Sequence, residues 1–151
     1  MANFALNVAK FAERAKGNTD QVVRSVLFSV ANSLVERSPV GNPDLWQNPK
    51  AAPPGYVGGR FRANWQFGES EPNLAVTTGI DPTGGFTIGK LQAAVPETDA
   101  RGKIYYFTNS LPYAERLEEG WSSRQAPDGI VGLTAIEFQD YVDKAVAELD
   151  K

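Results

Sequence analysis

The Ser38-Pro39 step limits this chain more than any other feature. A residue before proline is pushed out of the α region, and proline itself offers no amide hydrogen, so a helix cannot run through this point. The apolar ladder Val22, Val26, Val30 and Leu34, with Val23 and Leu27 beside it, therefore has to stop near Arg37. From Val40 to Gly59 come Pro43, Pro49, Pro53 and Pro54, four of the ten prolines in the chain. Such a stretch cannot hold a regular hydrogen-bonded ladder, so it reads as a long loop at 40–59. It carries Trp46 and Tyr56, which favour docking against this subunit or a neighbour over free disorder.

Ahead of the break, Phe4, Val8, Phe11 and Ala15 stand at helical spacing and Gly17 follows, which predicts a first short helix over 4–15. Asn18, with Gln21 three residues on, can cap a second helix ending near Arg37. After the loop, composition predicts strands at 60–66, 73–79, 85–89 and 102–108, while 90–95 stays ambiguous between helix and strand. Residues 109–120 hold a short helical turn ended by Gly120, and 130–133 reads as a final strand. Thr134 and Glu137 suggest a capping box for a last helix whose apolar face is Phe138, Tyr141, Val142, Ala145, Val146 and Leu149. The fold class expected is α+β: a single domain over 1–151, with a small antiparallel sheet packed with N-terminal helices and a C-terminal helix. No internal repeat is visible.

The 151 residues include no cysteine and no histidine. Disulfides, thiolate nucleophiles and zinc-cysteine sites are excluded, and with them imidazole-based triads and HExxH metal sites. A net charge of −3 disfavours general binding to polyanions. No uncharged stretch approaches the roughly 20 residues of a membrane helix, so a soluble protein maturing in a reducing cytoplasm is expected, with no membrane partner. Gly58-Gly59 and Gly84-Gly85 fit neither GxxxxGK[ST] nor GxGxxG, and no cofactor is expected. Glu115, Glu118 and Glu119 crowd one short element, where a solvated face competes with a pair of acid and base carboxylates. Asp140 and Asp143 lie on the polar side of the last helix, too few for a metal site. No catalytic or metal-binding residue is assigned, and an enzyme is not expected.

Two segments are dense in anchoring side chains. As an extended strand, 60–66 would place Phe61 and Ala63 on one face and Arg60, Arg62 and Asn64 on the other, with Trp65 following. Arg60, Arg62 and Trp65 could stack on and pair with single-stranded nucleic acid. Arginine and aromatic groups are equally what protein interfaces concentrate, and the acidic chain favours that reading. The second segment contributes Pro112, Tyr113, Arg116, Glu118 and Trp121. Together with Arg60, Phe61, Arg62, Asn64 and Trp65 these are the expected interface residues.

The order Ser38-Pro39-Val40, Gly59-Arg60-Phe61-Arg62-Ala63-Asn64-Trp65-Gln66, Asn109-Ser110-Leu111-Pro112-Tyr113-Ala114, Leu117-Glu118-Glu119-Gly120-Trp121-Ser122 and Gln125-Ala126-Pro127 resembles the neck and tail-completion proteins of long-tailed bacteriophages. Many members have a short polar turn where this chain has a longer insert from Gly41 to Val57. The resemblance implies a structural virion protein of the head–tail junction, assembled in the host cytoplasm. It would form a homo-oligomeric ring, a hexamer by family analogy, between a head-completion or stopper ring and the tail terminator or tail tube. DNA would pass through the lumen without sequence-specific binding. The Arg60–Trp65 and Pro112–Trp121 segments would be opposite halves of one heterologous contact. A tail terminator is the alternative within this class. A nucleic-acid binder, or a hydrolase or nuclease using Glu115, Glu118 or Asp140, are the alternatives outside it.

Overall fold

A computed structural model describes residues 2–149, with side chains from Asn7 onward. Its first element corrects an expectation: Gly17 does not stop a helix, and α1 runs unbroken from Ala2 to Arg37. One internal glycine costs a helix only about 1 kcal/mol, less than the many flanking turns supply. The side chain of Phe4 lies outside the described residues. Val26, Ala31, Leu34 and Val35 of α1 are buried, whereas every described residue from 7 to 19 is exposed. At about 1.5 Å per residue the helix is ~54 Å long, and its N-terminal part stands clear of the body.

The expected strand at 60–66 is instead a short helix, α2 (Arg60–Ala63), followed by β1 (Gln66–Glu69). The pattern that alternates also places Phe61 and Trp65 four residues apart, on one side of a helical turn. There both are buried, with rings edge to face at 5.9 Å. β1 pairs antiparallel with β2 (Tyr105–Thr108), with Gln66 opposite Thr108 and Glu69 opposite Tyr105, which completes the small sheet. Residues 73–79 form no strand. The chain instead folds back directly after β1, where a Cβ added at Gly68 would run into the Glu71 carbonyl oxygen and the Asn73 amide, so only glycine lets the turn close.

The segment expected as a strand at 85–89 and its ambiguous continuation form α3 (Gly85–Ala94). Asp81, nearly buried, explains the helix: its carboxylate accepts from the Gly84 and Thr87 amides at 3.1 and 2.8 Å and from the Thr87 hydroxyl at 2.8 Å. The short turn is α4 (Ala114–Glu118), ended by Gly120 at φ +86°, as its sequence suggests. The strand expected at 130–133 is α5 (Val131–Ile136), and α6 (Phe138–Leu149) follows almost directly. No capping box forms there. Thr134 lies inside α5, donating to the Ile130 carbonyl at 3.0 Å and meeting Ser33 Oγ at 2.8 Å, while Glu137 pairs with Arg37 and accepts from the Tyr141 hydroxyl. That pair pins the start of α6 to the end of α1, so α6 runs back along the supported half of α1. The architecture is α+β, six α-helices around a two-stranded antiparallel sheet among the described residues. Its core joins Ala31, Leu34 and Val35 to Phe61, Trp65, Leu91, Leu111, Ala126 and Ile130.

Candidate functional site

The loop at 40–59 is ordered by its two ends. At the start, the Ser38 hydroxyl donates to the Leu34 carbonyl at 2.6 Å and accepts from the indole N–H of Trp65 at 2.7 Å. At the far end Gly59 sits at φ +112°, where a Cβ would lie 2.5 Å from the Pro82 nitrogen. Its carbonyl accepts from the amides of Ala63 and Asp81, both at 3.0 Å. Between these ends come two single 3₁₀ turns, Pro43–Leu45 and Pro49–Ala51, each opened by a proline whose fixed φ suits the first position. Tyr56 meets Trp46 edge to face at 5.2 Å. Gln125 behaves like a strand partner, accepting from the Val40 amide and donating to its carbonyl, both at 2.8 Å.

A half-open groove of 780 Å³ lies between this loop and residues 113–125. Trp46, Tyr56, Phe61, Tyr113 and Trp121 line it, and Arg60 and Arg124 sit on its rim. Phe61 and Tyr113 meet at 6.2 Å between ring centroids, joining the two walls. Burial pushes the Tyr113 phenol above its ordinary pKa, against the opposing pull of the Arg60 charge. The Arg116 guanidinium lies 5.1 Å over the Trp121 ring, which remains 67% exposed. Among the described residues, Arg60, Arg116 and Arg124 form no ion pair.

The expected interface residues divide by where the fold puts them. Arg60, Pro112, Tyr113, Arg116 and Trp121 are exposed, and all but Pro112 and Arg116 line the groove. Phe61, Asn64 and Trp65 are core residues, which corrects their assignment to a contact strand; only the groove edge of Phe61 opens outward. Asn64, fully buried, is spent on the backbone: its Oδ1 accepts from the Thr77 amide at 2.8 Å, and its Nδ2 donates to the Thr77 and Arg60 carbonyls at 3.1 and 2.7 Å. Arg62 donates to the carbonyls of Ser38, Pro82 and Glu36 at 2.9, 2.8 and 3.1 Å. Two of these belong to the C-terminal end of α1, where carbonyls lack helical partners and a cation is favourable.

Glu118 caps α5 from outside. Its Oε2 accepts from the amides of Ile130 and Val131, both at 2.8 Å, and its Oε1 from Gly132 at 2.9 Å. Glu115 and Asp140 are exposed on separate helices, and the carboxylates weighed for acid–base work do not converge. Among the described residues no cluster of three acidic side chains is placed to hold a metal ion, and no helix is long and apolar enough to cross a membrane. Sequence reasoning missed Leu45, Ser122 and Gln125 as groove residues; the Val40–Gln125 pair spans the chain and leaves no local pattern. Comparison with protein-family models, with curated proteins and with solved structures returned no match.

Proposed function

We propose that this chain is a structural subunit of a multi-chain assembly and, on the resemblance given above, of the ring where a bacteriophage tail meets its head. The observation that carries the assembly role is surface. A self-sufficient monomer of 16.4 kDa is expected to expose about 7,500 Å², whereas this chain exposes 9756 Å². The excess, roughly 2,200 Å², is the size of a substantial protein–protein interface. Large apolar side chains stand on that surface: Phe11, Leu74, Phe86, Ile104, Trp121 and Ile136 are each more than 60% exposed. Arg62 and Trp65, needed by a nucleic-acid binder of the kind considered above, are already engaged within the fold.

The head–tail role is tested on particles. Mass spectrometry of purified virions should find the chain at a fixed multiple of the portal copy number, and imaging should place a ring of it at the junction. Particles that lack the chain, yet carry joined heads and tails, would end this assignment.

A further inference from the structure

Toward the N-terminus from Asp20, every described side chain of α1, from 7 to 19, is exposed. Asp20 is the last tether: its carboxylate accepts from the amides of Asp99 and Arg101 at 3.1 and 3.2 Å and pairs with the Arg101 guanidinium at 3.0 Å. The three residues just before it, Gly17-Asn18-Thr19, are all weak helix formers. Thr19 also bonds back to the Ala15 carbonyl at 2.9 Å, a contact that bends helices. The arm therefore leaves the body through a turn of low helix propensity, although α1 runs on through it unbroken.

The arm is amphipathic and basic. Val8, Phe11, Ala12 and Ala15 form a stripe that continues the line of Val22 and Val26, which face the body further along the same helix. Phe11 is 74% exposed. Between 7 and 19 the arm carries Lys10, Arg14 and Lys16 against the single Glu13, which pairs with Lys16 at 3.3 Å and leaves the arm a net positive charge. The chain from residue 20 onward carries twelve cations against seventeen carboxylates. Charge therefore separates arm from body, which directs the arm toward the body of another copy. The arginine rim of the groove is of the wrong sign to receive it.

We infer that the α1 arm of one copy packs on α6 of a second copy, its apolar stripe on Phe138, Val142 and Val146 and its cations beside the α6 carboxylates. Phe138, Val142 and Val146 stand four residues apart on one ridge of α6, with Phe138 and Val146 each 48% exposed. The neighbouring row holds Gln139 and Asp143, bonded to each other at 2.9 Å. α6 as a whole carries Asp140, Asp143 and Glu148 against Lys144 alone. This contact is heterologous, arm to body, and so propagates from copy to copy, closing into a ring where the rotation between copies permits. It rests on the assembly role proposed above and names one of its interfaces.

The test uses full-length protein. An unlabelled chain carrying a nitroxide at Glu13→Cys, in a sequence otherwise free of cysteine, is mixed at about 0.5 mM with ¹⁵N-labelled chain, a concentration that reveals even weak association. The expected result is broadening of α6 amides in the labelled copies. Adding Phe11→Asp to the spin-labelled chain should weaken that broadening at least about tenfold, as should raising salt from about 50 to about 500 mM. The thermal midpoint of Phe11→Asp should equal that of the parent, because the Phe11 ring is exposed in the single copy. No broadening, broadening that spares α6, or indifference to Phe11→Asp would overturn the inference, as would a lowered midpoint. The two proposals fail separately. Virions without the chain remove the head–tail role and leave arm-to-α6 docking intact. Virions that incorporate Phe11→Asp at the normal level, together with a blank spin-label experiment, remove the docking alone.

Discussion

Glu118 offers the sharpest separation between a contact residue and a structural one. Replacing it with alanine strips three amide partners from the start of α5. Val131 and Gly132 are exposed, so water can replace two of those bonds, at a cost of about 0.5 kcal/mol each as in other lost caps. Ile130 is 1% exposed, and its amide would be left without a partner, costing about 2 kcal/mol. The expected total is about 3 kcal/mol, which for a chain of this length lowers the thermal midpoint by about 9 °C. Glu118→Gln keeps the oxygen shared by Ile130 and Val131 but turns an amide donor toward Gly132, so about half that loss is expected. Urea unfolding followed by tryptophan fluorescence reads both variants, with the exposed Glu119→Ala as control and expected within about 0.5 kcal/mol of the parent. An interface role alone predicts the opposite: unchanged unfolding for Glu118→Ala and impaired assembly. If Glu118→Ala unfolds at the parental urea midpoint, the capping account is wrong.

Three further outcomes follow from the geometry. Burial alone would raise the Asp81 pKa, but bonds from the Thr87 amide and hydroxyl, then from Gly84 and Thr83, outweigh it and hold the carboxyl below its ordinary value. Its contribution is therefore complete above the unfolded carboxylate value near ~3.9 and lost as pH falls through the folded one; Asp81→Asn should cost about 2 kcal/mol at pH 7 and flatten the acid limb of a stability–pH curve, and an unchanged acid limb would refute this. Gly59→Ala drives a Cβ into the Asp81–Pro82 backbone at positive φ, and chemical denaturation should register a loss of about 3 kcal/mol or more. Trp121→Ala removes an exposed ring and should leave unfolding within about 0.5 kcal/mol of the parent, while weakening self-association measured by analytical ultracentrifugation if the groove wall is a contact.

Much of the fold was legible in local pattern. The apolar ladder of α1 up to Arg37, the face of α6, the stop at Gly120 and part of β2 all follow from period and punctuation within a few residues. The misread segments share a physical cause: their conformation is set by partners remote in sequence. Arg60–Trp65 alternates like a strand, yet its side chains bond to Glu36, Ser38, Thr77 and Pro82, and a helical turn is the geometry that reaches them all. Phe61 and Trp65 at i and i+4 were the available hint. Residues 85–89 read as a strand and 90–95 as ambiguous because the capping group of α3, Asp81, precedes the helix by several residues. Of the candidate site, the aromatic wall from Tyr113 to Trp121 was visible in composition. The buried fate of Asn64 was not, because an amide serving backbone inside a fold and one facing a partner are the same residue in a sequence.

The dense arginine and tryptophan motif then takes a role upstream of any contact. Its side chains fasten both roots of the proline-rich loop: Arg62 and Trp65 hold Ser38, and α2 holds Gly59, whose carbonyl in turn holds Asp81. With the roots fixed, length is thermodynamically cheap, since extending a loop from about five residues to about twenty adds only ~1 kcal/mol of closure entropy. One edge-to-face pair such as Trp46–Tyr56, or the two hydrogen bonds between Gln125 and the Val40 backbone, offsets that amount. The outer wall of the groove is therefore free to change in length and composition while α1, α2 and the core stay as they are. A substitution at Arg62 should loosen that wall without touching it, whereas one at Trp46 should alter the groove and leave the core intact.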